Sequence, residues 1–460
     1  MSSVEVSGQT TVRLAPVFAI GLSFFVGNLD ATVVNVATTQ VGADLGASTA
    51  QVAWIVNGFV LAVAGLLLLA GDLAGRLGAR RIYVCGIVLF ALASLLAGIA
   101  TDPSLLISAR VMQGFGAALF QPAGLVLLAA CYPEAGVRQR MIGLWAAMGA
   151  AAAALGPMIG GFVVAGLGWR WIFWVNLPIG LVAVWMSLRV LPAVPGRIAR
   201  VPLLGHGLFA LAVSGAAVAL MEGPEQGWTA PLPLAGIAAA VVGLVVFVWW
   251  QRVSGAEVYP LRVLRNTQFS LANVVGVFMN VGLFGGVFLV SIVLQQAMGS
   301  GPLIAGLQLL PMMAVFVVGN LAFSRLGKVL SARQAIIMGT GAAAVAVAIL
   351  ALVSLGGVSY PWLAVCLAVA HLGLGIASPA MTAAMLNSVD SRDTGLAGAV
   401  LNVNRQMGSL VGVAVAAALL STMASPAAAV PVMFGLSVIG YASAALAGFL
   451  LQNTVRSREK

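Results

Sequence analysis

Fourteen long apolar segments dominate this chain of 460 residues and limit what it can fold into. A helix needs roughly 20 residues to cross a hydrocarbon layer of about 30 Å, and most of these segments are near that length. A backbone in lipid must satisfy its own hydrogen bonds, and the segments are too long for barrel strands, so each is predicted to be a helix. The segments run at 13–37, 50–70, 82–100, 104–130, 139–166, 169–190, 203–222, 231–250, 267–297, 302–325, 333–354, 360–387, 395–421 and 430–451.

Composition agrees with a membrane protein, because 61% of the residues are hydrophobic and only 7% are charged. A soluble domain carries about 25% charged residues. The chain is therefore predicted to be an all-α protein that crosses the membrane many times. The first apolar run is too long for a cleavable signal peptide, and further spans follow it. The three cysteines lie in or at the ends of separate segments, which predicts packing roles and neither a disulfide framework nor a metal site.

Basic residues are distributed unevenly between the two sides of the predicted membrane. Nineteen of the 22 Lys and Arg residues lie at the two chain termini or at the connections that follow even-numbered segments. The other three are Arg110, Arg170 and Arg405. Loops rich in Lys and Arg stay in the cytoplasm. We therefore expect both termini to be cytoplasmic and the protein to lie in the cell (inner, cytoplasmic) membrane. The net charge of +10 follows from this topology and predicts no nucleic-acid partner.

The first apolar stretch, Leu14–Ala37, contains an acid at membrane depth. Asp30 lies in its second half, with Asn28 and Asn35 close by. A carboxylate at the centre of a bilayer costs at least about 2.5 kcal/mol, so such residues are usually functional and have partners. Asp30 is the only acid well inside a predicted segment. We expect it to take up and release a proton, with a structural hydrogen-bonding role near the outer interface as the alternative.

The fourth segment contains a cation that is a candidate partner for Asp30. Arg110 lies inside this segment, and Gln113 lies one turn later on the same helical face. One interpretation is that Arg110 points into a central cavity and tunes a carboxylate there. The other is that its long side chain reaches the outer membrane interface.

A short internal repeat predicts two similar halves. Residues 77–86 resemble residues 330–339, at an offset of 253 residues, and both follow a predicted helix end on the cytoplasmic side. Parallel repeats of this kind occur in transporters built from two six-helix halves. Superposing the third segment on the eleventh leaves the seventh and eighth segments as an inserted pair. The predicted organisation is a six-helix bundle at 1–200, two inserted helices at 201–258 and a second six-helix bundle at 259–460.

Two glycine- and proline-rich stretches stand out in the first half. The fifth segment contains Gly156, Pro157, Gly160 and Gly161, which predict a kinked helix that packs closely against its neighbours. Residues 168–180 combine three tryptophans with Arg170, and this predicts an interfacial corner in which cation–π or carbonyl contacts hold the arginine.

These motifs together resemble the fourteen-helix drug:proton antiporters of the major facilitator superfamily, over essentially the whole chain. The resemblance implies the major facilitator fold and an antiport function. The glycine–proline stretch resembles the one associated with antiporters rather than symporters. From their own chemistry we expect Asp30 and Arg110 to serve in proton coupling, and the kinked glycine–proline helix to serve in gating. The matching segments are 29–37, 71–81, 110–118, 156–161, 168–180, 294–299 with 305–311, and 402–408.

The loop between the second and third segments departs from the family pattern. The resemblance implies gating residues here at Gly71, Arg76, Arg80 and Arg81, but the family's acid is replaced by Gly75. Asp72 lies three residues earlier, on the same face of a continued helix. Either Asp72 takes the role of the missing acid in the cytoplasmic gate, or the gate is looser.

Polar residues within the apolar segments are candidates for lining a substrate cavity, although interhelical hydrogen bonds are an equally common fate of such residues. We expect Asn28, Asn35, Asn57, Gln113, Gln121, Asn280 and His371 to line it. Further candidates are Asn273, Gln295, Asn320, Asn402 and Asn404. His371 is a candidate for a proton role, with packing as its alternative. Glu222 and Glu225, at the outer end of the seventh segment, are predicted to be solvated.

Three function classes are consistent with these features. The first is export of amphipathic small molecules driven by inward proton flow, by alternating access. The second is transport of a specific metabolite on the same scaffold, and the third is a membrane receptor that does not transport. An enzyme is not expected, because the sequence has no paired carboxylates, activated nucleophile, phosphate loop or metal cluster. No cofactor is expected, and the expected partners are a small-molecule substrate, protons and the lipid bilayer, with the chain acting as a monomer.

Overall fold

A computed structural model describes residues 13–196, 201–255, 258–259, 261–327, 329–389 and 394–451, and all regular structure in these ranges is helical. The helices are α1 (Ala15–Leu45), α2 (Thr49–Leu77), α3 (Ala79–Gly98), α4 (Pro103–Cys131), α5 (Ala135–Leu167), α6 (Trp171–Trp174), α7 (Asn176–Val190), α8 (Leu203–Gln226), α9 (Pro231–Ser254), α10 (Leu261–Leu264), α11 (Thr267–Ile292), α12 (Pro302–Leu326), α13 (Ala332–Ser354), α14 (Tyr360–Asn387), α15 (Thr394–Thr422) and α16 (Pro426–Leu450).

The described part of the chain contains fourteen helices that are long and apolar enough to cross a membrane, which confirms the predicted number of spans. The span at Trp171–Val190 consists of α6 and α7, and α11 continues into a π-helical turn at Val293–Ala297. Helix α1 extends to Leu45, beyond the predicted end at residue 37. The apolar pattern fades there, but no proline interrupts the helix, and Gly46 in the left-handed conformation (φ 62°) ends it.

The internal repeat corresponds to the third helix of each predicted half. Helix α3 begins after Gly78, and α13 begins after Ser331, the residue that aligns with Gly78 in the repeat. Gly86 packs against the backbone of α4, and its counterpart Gly339 packs against the backbone of α14 at Gly373. Neither position has room for a Cβ atom, so both glycines permit the same close pairing of the third and fourth helices.

The helices pack mainly within two groups, α1–α7 and α11–α16. In the first group α1 packs against α5, and α4 packs against both α2 and α3. In the second group α11 packs against α15 and α16, and α14 packs against α12 and α13. Helices α8 and α9 pair with each other, and α8 also contacts α2 and α15.

Contacts between the two groups lie towards one end of the bundle, which we call the Leu45 end; the opposite end is the Leu77 end. At the Leu45 end, Oγ of Ser291 in α11 donates a hydrogen bond of 2.8 Å to the carbonyl of Asn35 in α1. Nδ2 of Asn57 in α2 donates to the carbonyl of Leu410 in α15 at 3.2 Å. These bonds join two helices of each group without any charged pair, which suits contacts that form and break.

The inserted helix α8 is bound to α2 at both of its ends. Near the Leu45 end, Nε1 of Trp54 donates a hydrogen bond of 2.6 Å to Glu222, which also accepts one from Gln226. The sequence predicted that Glu222 and Glu225 would be solvated; Glu225 is exposed, whereas Glu222 is half-buried and hydrogen-bonded to Trp54 and Gln226. Near the Leu77 end, His206 of α8 contacts Asp72 of α2 at 3.1 Å.

Candidate functional site

Asp30 is the centre of a buried polar cluster in the first helical group. The residue lies on α1 and is 0% exposed. Its Oδ2 forms an ion pair with Nη1 of Arg110. Its Oδ1 accepts hydrogen bonds from Asn176 at 2.9 Å and from Gln113 at 3.3 Å. These donors compensate the carboxylate for the loss of water, without which its burial would be very unfavourable.

Arg110 is fixed on several sides in addition to its ion pair. The side chain is 1% exposed, its Nε donates to the carbonyl of Ile55 at 2.9 Å, and its Nη1 donates to Oε1 of Gln113 at 2.8 Å. The guanidinium lies over the rings of Phe59 and Phe173, at 4.8 and 5.7 Å from their centroids. The alternative in which Arg110 reaches the membrane interface was therefore wrong, and the predicted proximity to a carboxylate is confirmed.

Ser94 and Asn176 complete the cluster, and neither was predicted from the sequence. Oγ of Ser94 accepts hydrogen bonds from Gln113 at 2.7 Å and from Asn176 at 3.3 Å, while donating its own proton to the carbonyl of Phe90 at 2.8 Å. Both side chains are at most 1% exposed. Asn176 could have been found as the amide within the tryptophan-rich corner at residues 168–180. A serine in an apolar helix such as α3 gives no comparable signal.

Small residues on α4 bring the helices of this cluster together. A Cβ atom at Gly114 would collide with the carbonyl of Phe59 in α2, and one at Gly116 would collide with the backbone of Phe90 in α3. Helix α4 thus approaches two neighbours at backbone contact, and this places its polar side chains within reach of α1, α3 and α7.

The tryptophan-rich corner closes the Leu45 end of the same group. Arg170 stacks on the ring of Trp169 at 4.3 Å from its centroid and donates to the carbonyl of Ala100 at 3.2 Å, as predicted. Both residues also bind Asp44 at the end of α1, Arg170 at 2.7 Å and Trp169 at 3.0 Å. The corner therefore fixes the end of α1 relative to the start of the span that contains Asn176.

The glycines of α5 lie against α1 on one side. A Cβ atom at Gly156 would collide with the side chain of Thr32, and one at Gly160 would collide with Val33. Both contacts lie within one turn of Asp30, so α5 supports the segment of α1 that carries the acid.

The other side of α5 contacts the second helical group. Gly161 faces the backbone of Pro302 and Leu303 at the start of α12, and Gly306 of α12 faces the carbonyl of Pro157. No space remains for a Cβ atom at either glycine. The glycine–proline stretch therefore joins α1 to α12 at the Leu45 end.

Asp72 has partners on two helices at the Leu77 end. Its Oδ2 lies 3.5 Å from Nη2 of Arg76 in the same helix and 3.1 Å from Nε2 of His206 in α8. The side chain of Asp72 is 36% exposed, whereas that of His206 is only 3% exposed. Gly75, at the position of the family acid, is exposed with open space around it. His206 was not predicted as a site residue, although it lies inside the seventh predicted segment.

The remaining predicted gating residues surround the turn between α2 and α3. Nη2 of Arg80 donates to the carbonyl of Leu188 in α7 at 2.6 Å, and Arg81 is exposed. Gly71 is half-buried, and a Cβ atom there would just touch Pro122 of α4.

The matching protein family is consistent with this architecture. A family model described as the Major Facilitator Superfamily matches residues 20–413, which is most of the chain. The chain belongs to the major facilitator superfamily. The family consists of membrane transporters, and the protein is embedded in a membrane through many spans.

Relatives within the superfamily are resistance and export proteins. A methylenomycin A resistance protein of Bacillus subtilis (strain 168) is 40% identical over 442 residues, which cover 96% of this chain and 94% of the relative. The methylenomycin A resistance protein of Streptomyces coelicolor is 40% identical over 400 residues, covering 86% and 83%. The multidrug resistance protein Stp of Mycobacterium tuberculosis (strain CDC 1551 / Oshkosh) is 32% identical, covering 90% and 77%.

A solved structure confirms the fold. The crystal structure of an auto-inhibited POT family peptide transporter matches with a TM-score of 0.69, covering 97% of this chain and 99% of that chain. The two sequences are 16% identical, so this likeness concerns the fold alone.

Three of the predicted cavity residues donate hydrogen bonds to the backbone of their own helices. Asn28 donates to the carbonyl of Phe24 at 2.7 Å, and Asn280 donates to that of Gly276 at 2.7 Å. Asn35 bonds to carbonyls of its own turn. In each case the amide nitrogen is engaged by the residue's own helix, and the structure does not bring these residues into the buried acid cluster. Their place in a substrate cavity stays a prediction.

Four other candidates differ from these three. Asn57 and His371 each have one buried polar atom without a hydrogen-bond partner among the described residues, and Asn404 connects two helices. Asn57 is fully buried, and its Oδ1 has no partner among the described residues. His371 contacts a carbonyl of its own helix through Nδ1 at 2.8 Å, while its Nε2 has no partner in the same described ranges. Gln121 is half-buried on α4. Asn404 bonds to Asn273, which connects α15 to α11.

Proposed function

We propose that the protein is a secondary active transporter that exports amphipathic small molecules in exchange for protons, by alternating access. The observation that carries this proposal is the buried pair of Asp30 and Arg110 at the junction of four membrane helices. Names of similar proteins support the substrate class, because they describe resistance to antibiotics or to several drugs. On this proposal Asp30 carries the proton, and Arg110 regulates it.

The physical basis is a competition between two effects on the Asp30 carboxyl group. Removal from water favours the neutral acid, whereas the guanidinium and the two amide donors favour the carboxylate. Arg110 stays charged throughout, because guanidinium groups do not lose their proton in proteins. A conformational change that separates Asp30 from Arg110 or admits water therefore shifts the proton occupancy of Asp30. Loading then occurs in the state open to the outside, and release occurs in the state open to the cytoplasm.

The surrounding contacts fit such a cycle. Asp30 lies within one turn of the α1 residues that pack against α5. The other side of α5 contacts α12 through Gly161. A movement of one helical group against the other is thereby linked to the segment of α1 around the acid. Asp72 and the basic residues of the α2–α3 turn act as the gate at the opposite end.

The broader organisation of the transporter follows the sequence predictions. We infer two six-helix halves at 1–200 and 259–460, with an inserted pair between them. The Leu77 end and both termini face the cytoplasm of a bacterial cell whose inner membrane contains the protein. The chain works as a monomer with protons and a small-molecule substrate as its partners.

The test uses everted membrane vesicles loaded with a pH-sensitive fluorescent dye. Asp30→Asn retains the shape and most hydrogen bonds of the side chain but cannot titrate. This variant should reach the membrane at the normal level and lose substrate-induced proton release. Arg110→Ala should be similarly inactive, and Arg110→Lys should restore activity only in part, because the planar fork is lost.

Two controls keep the result specific. Downhill exchange of substrate, which needs no proton gradient, should continue in Asp30→Asn and so show that the variant is folded. Full proton-coupled efflux by Asp30→Asn would remove Asp30 from the mechanism, and His371 would be the next residue to test.

A further inference from the structure

Arg405 is a cation inside a membrane span that has no partner in the described part of the chain. It lies on α15 within the span Val400–Thr422, and its side chain is exposed. Among the described residues, no hydrogen bond, ion pair or ring contact involves Arg405. Charged residues at membrane depth are costly and face cavities or partners, so an unpaired arginine here needs an explanation.

The exposed side of Arg405 faces the interior of the protein and not the lipid. Ser409, Gly412 and Ala416 follow Arg405 on the same stripe of α15, at spacings of four, seven and eleven residues. All three are buried, with Ser409 at 3% and Ala416 at 0% exposure. A stripe that faced lipid would be exposed along its whole length. Leu401, one turn towards the Leu77 end, is also buried at 7% exposure. Arg405 is thus an exposed position between buried neighbours of the same stripe, as expected for a side chain in a cleft inside the protein.

The neighbours of α15 on either side place this cleft between the two helical groups. Gly408 and Gly412 pack against the backbone of α11, next to the stripe of Arg405. Leu410, on another face of α15, receives the hydrogen bond from Asn57 of α2. Seen along the axis of α15, Arg405 therefore lies between the side that packs against α11 of its own group and the side that contacts α2 of the other group.

The described acids of the membrane spans are already engaged or lie at the span ends. Asp30 is paired with Arg110, Asp44 with Arg170, and Asp72 with Arg76. Glu222 accepts hydrogen bonds from Trp54 and Gln226. None of these described acids is therefore available as a counter-charge for Arg405, which points to a bound molecule as its source.

We propose that Arg405 binds the anionic group of the transported substrate, and that the substrates are amphipathic monocarboxylic acids. This proposal rests on the proposed export function and names its substrate class. A guanidinium forms two parallel hydrogen bonds with a carboxylate, and its weak hydration suits it to a partly dry cleft. The apolar part of the substrate lies against the apolar helices around the cleft. The anion and the proton then bind at separate places, on α15 and on α1.

The experiment measures binding to the purified full-length protein in nanodiscs of neutral phosphatidylcholine, by quenching of tryptophan fluorescence. The probes are acid and ester pairs, for example nalidixic acid and fusidic acid with their methyl or ethyl esters. The wild-type protein should bind at least one acid about tenfold more tightly than its ester, as expected for a hydrogen bond to a charged group. Arg405→Gln should remove this preference and leave ester binding within twofold, whereas Arg405→Lys should retain part of it.

The control is Arg140→Gln, which removes an exposed arginine near the start of the α5 span and should leave the acid preference unchanged. Ester binding by Arg405→Gln shows that this variant is folded. The proposal is overturned if no acid binds better than its ester, or if the preference survives in Arg405→Gln. Competition by added phosphatidylglycerol that abolishes acid binding would instead assign Arg405 to a lipid headgroup. Because binding needs no proton gradient, Asp30→Asn should still bind the acids, so failure of the coupling mechanism is distinguishable from failure of this inference.

Discussion

Asn176 of α7 donates a hydrogen bond of 2.9 Å to Oδ1 of Asp30 in α1, across 146 positions of the sequence. The same amide donates to Ser94 of α3 at 3.3 Å, so it links the acid to a third helix. Asn176 follows directly after the corner formed by Trp169 and Arg170, which is bound to the end of α1 through Asp44. The corner motif thus positions a donor on the carboxylate that we propose as the proton carrier.

The first prediction concerns this donor. Asn176→Ala removes one of the donors that compensate the buried Asp30 carboxylate. We expect the rate of proton-coupled efflux to fall by roughly tenfold or more, since a hydrogen bond to a charged group contributes about 1.5–3 kcal/mol, and downhill exchange of substrate, which needs no proton, to continue. Initial rates of both processes in everted vesicles would measure this.

A matched control is Thr340→Val in α13, which also removes a buried hydrogen-bond donor but one that bonds only to its own helix. It should leave both rates unchanged. If Asn176→Ala lowers downhill exchange as much as proton-coupled efflux, then the residue serves packing alone and does not act through Asp30.

The sequence predicted the spans and the central ion pair, but not the rest of the cluster. Hydropathy identifies the helices because lipid imposes their length, and the cost of burying Asp30 and Arg110 demands a partner for each. Ser94 and Asn176 carry no charge, so nothing in the sequence requires a partner for them. Their roles depend on which helices are neighbours, and the periodicity of each helix contains no such information. The amide nitrogen of Asn28 donates to the backbone of its own helix, so its predicted place in a substrate cavity stays a prediction.

The second prediction concerns the gate at the Leu77 end. Asp72 contacts both Arg76 and His206, and we propose that it replaces the acid that the family pattern has at Gly75. Asp72→Asn should weaken both contacts, favour states open to the cytoplasm and lower turnover severalfold. Gly75→Asp in that background should recover part of the activity, because the position is exposed and has space for a side chain. Substrate turnover and alkylation of a single cysteine in the cytoplasmic cleft would report rate and state.

The solvated residue Glu225 offers a comparison, because Glu225→Gln also removes one negative charge from an exposed helix end. This variant should behave as the wild type. Normal turnover of Asp72→Asn would show that Asp72 does not compensate for the missing acid.

The third prediction concerns orientation. The uneven distribution of Lys and Arg places the loop between α8 and α9 outside the cell and residue 197 inside it. In a background without the native cysteines, Thr229→Cys should react with an impermeant thiol reagent added to whole cells, and Arg197→Cys should react only after permeabilisation. The reverse labelling pattern would invert the topology, and equal labelling of both would contradict the assignment of either side.

The fourth prediction concerns the contact of α5 with α12. An added Cβ atom at Gly161 would meet the carbonyl of Pro302 and the backbone of Leu303, and backbone cannot move aside as a flexible side chain can. Gly161→Ala should therefore disfavour the arrangement closed at the Leu45 end by about 1–3 kcal/mol, which corresponds to a loss in its population of about fivefold to a hundredfold. Gly166→Ala is the matched control on the same helix, because a Cβ atom there meets nothing within 4 Å.

Both substitutions raise intrinsic helix propensity by about 1 kcal/mol, so propensity alone predicts equal effects at the two positions. A difference between them therefore isolates the contact with α12. Transport by Gly161→Ala should fall while its amount in the membrane matches that of Gly166→Ala, and a thiol probe should find the Leu45 end more accessible. Equal transport by the two variants would mean that α12 moves aside at no cost, and that this junction does not hold the Leu45 end closed.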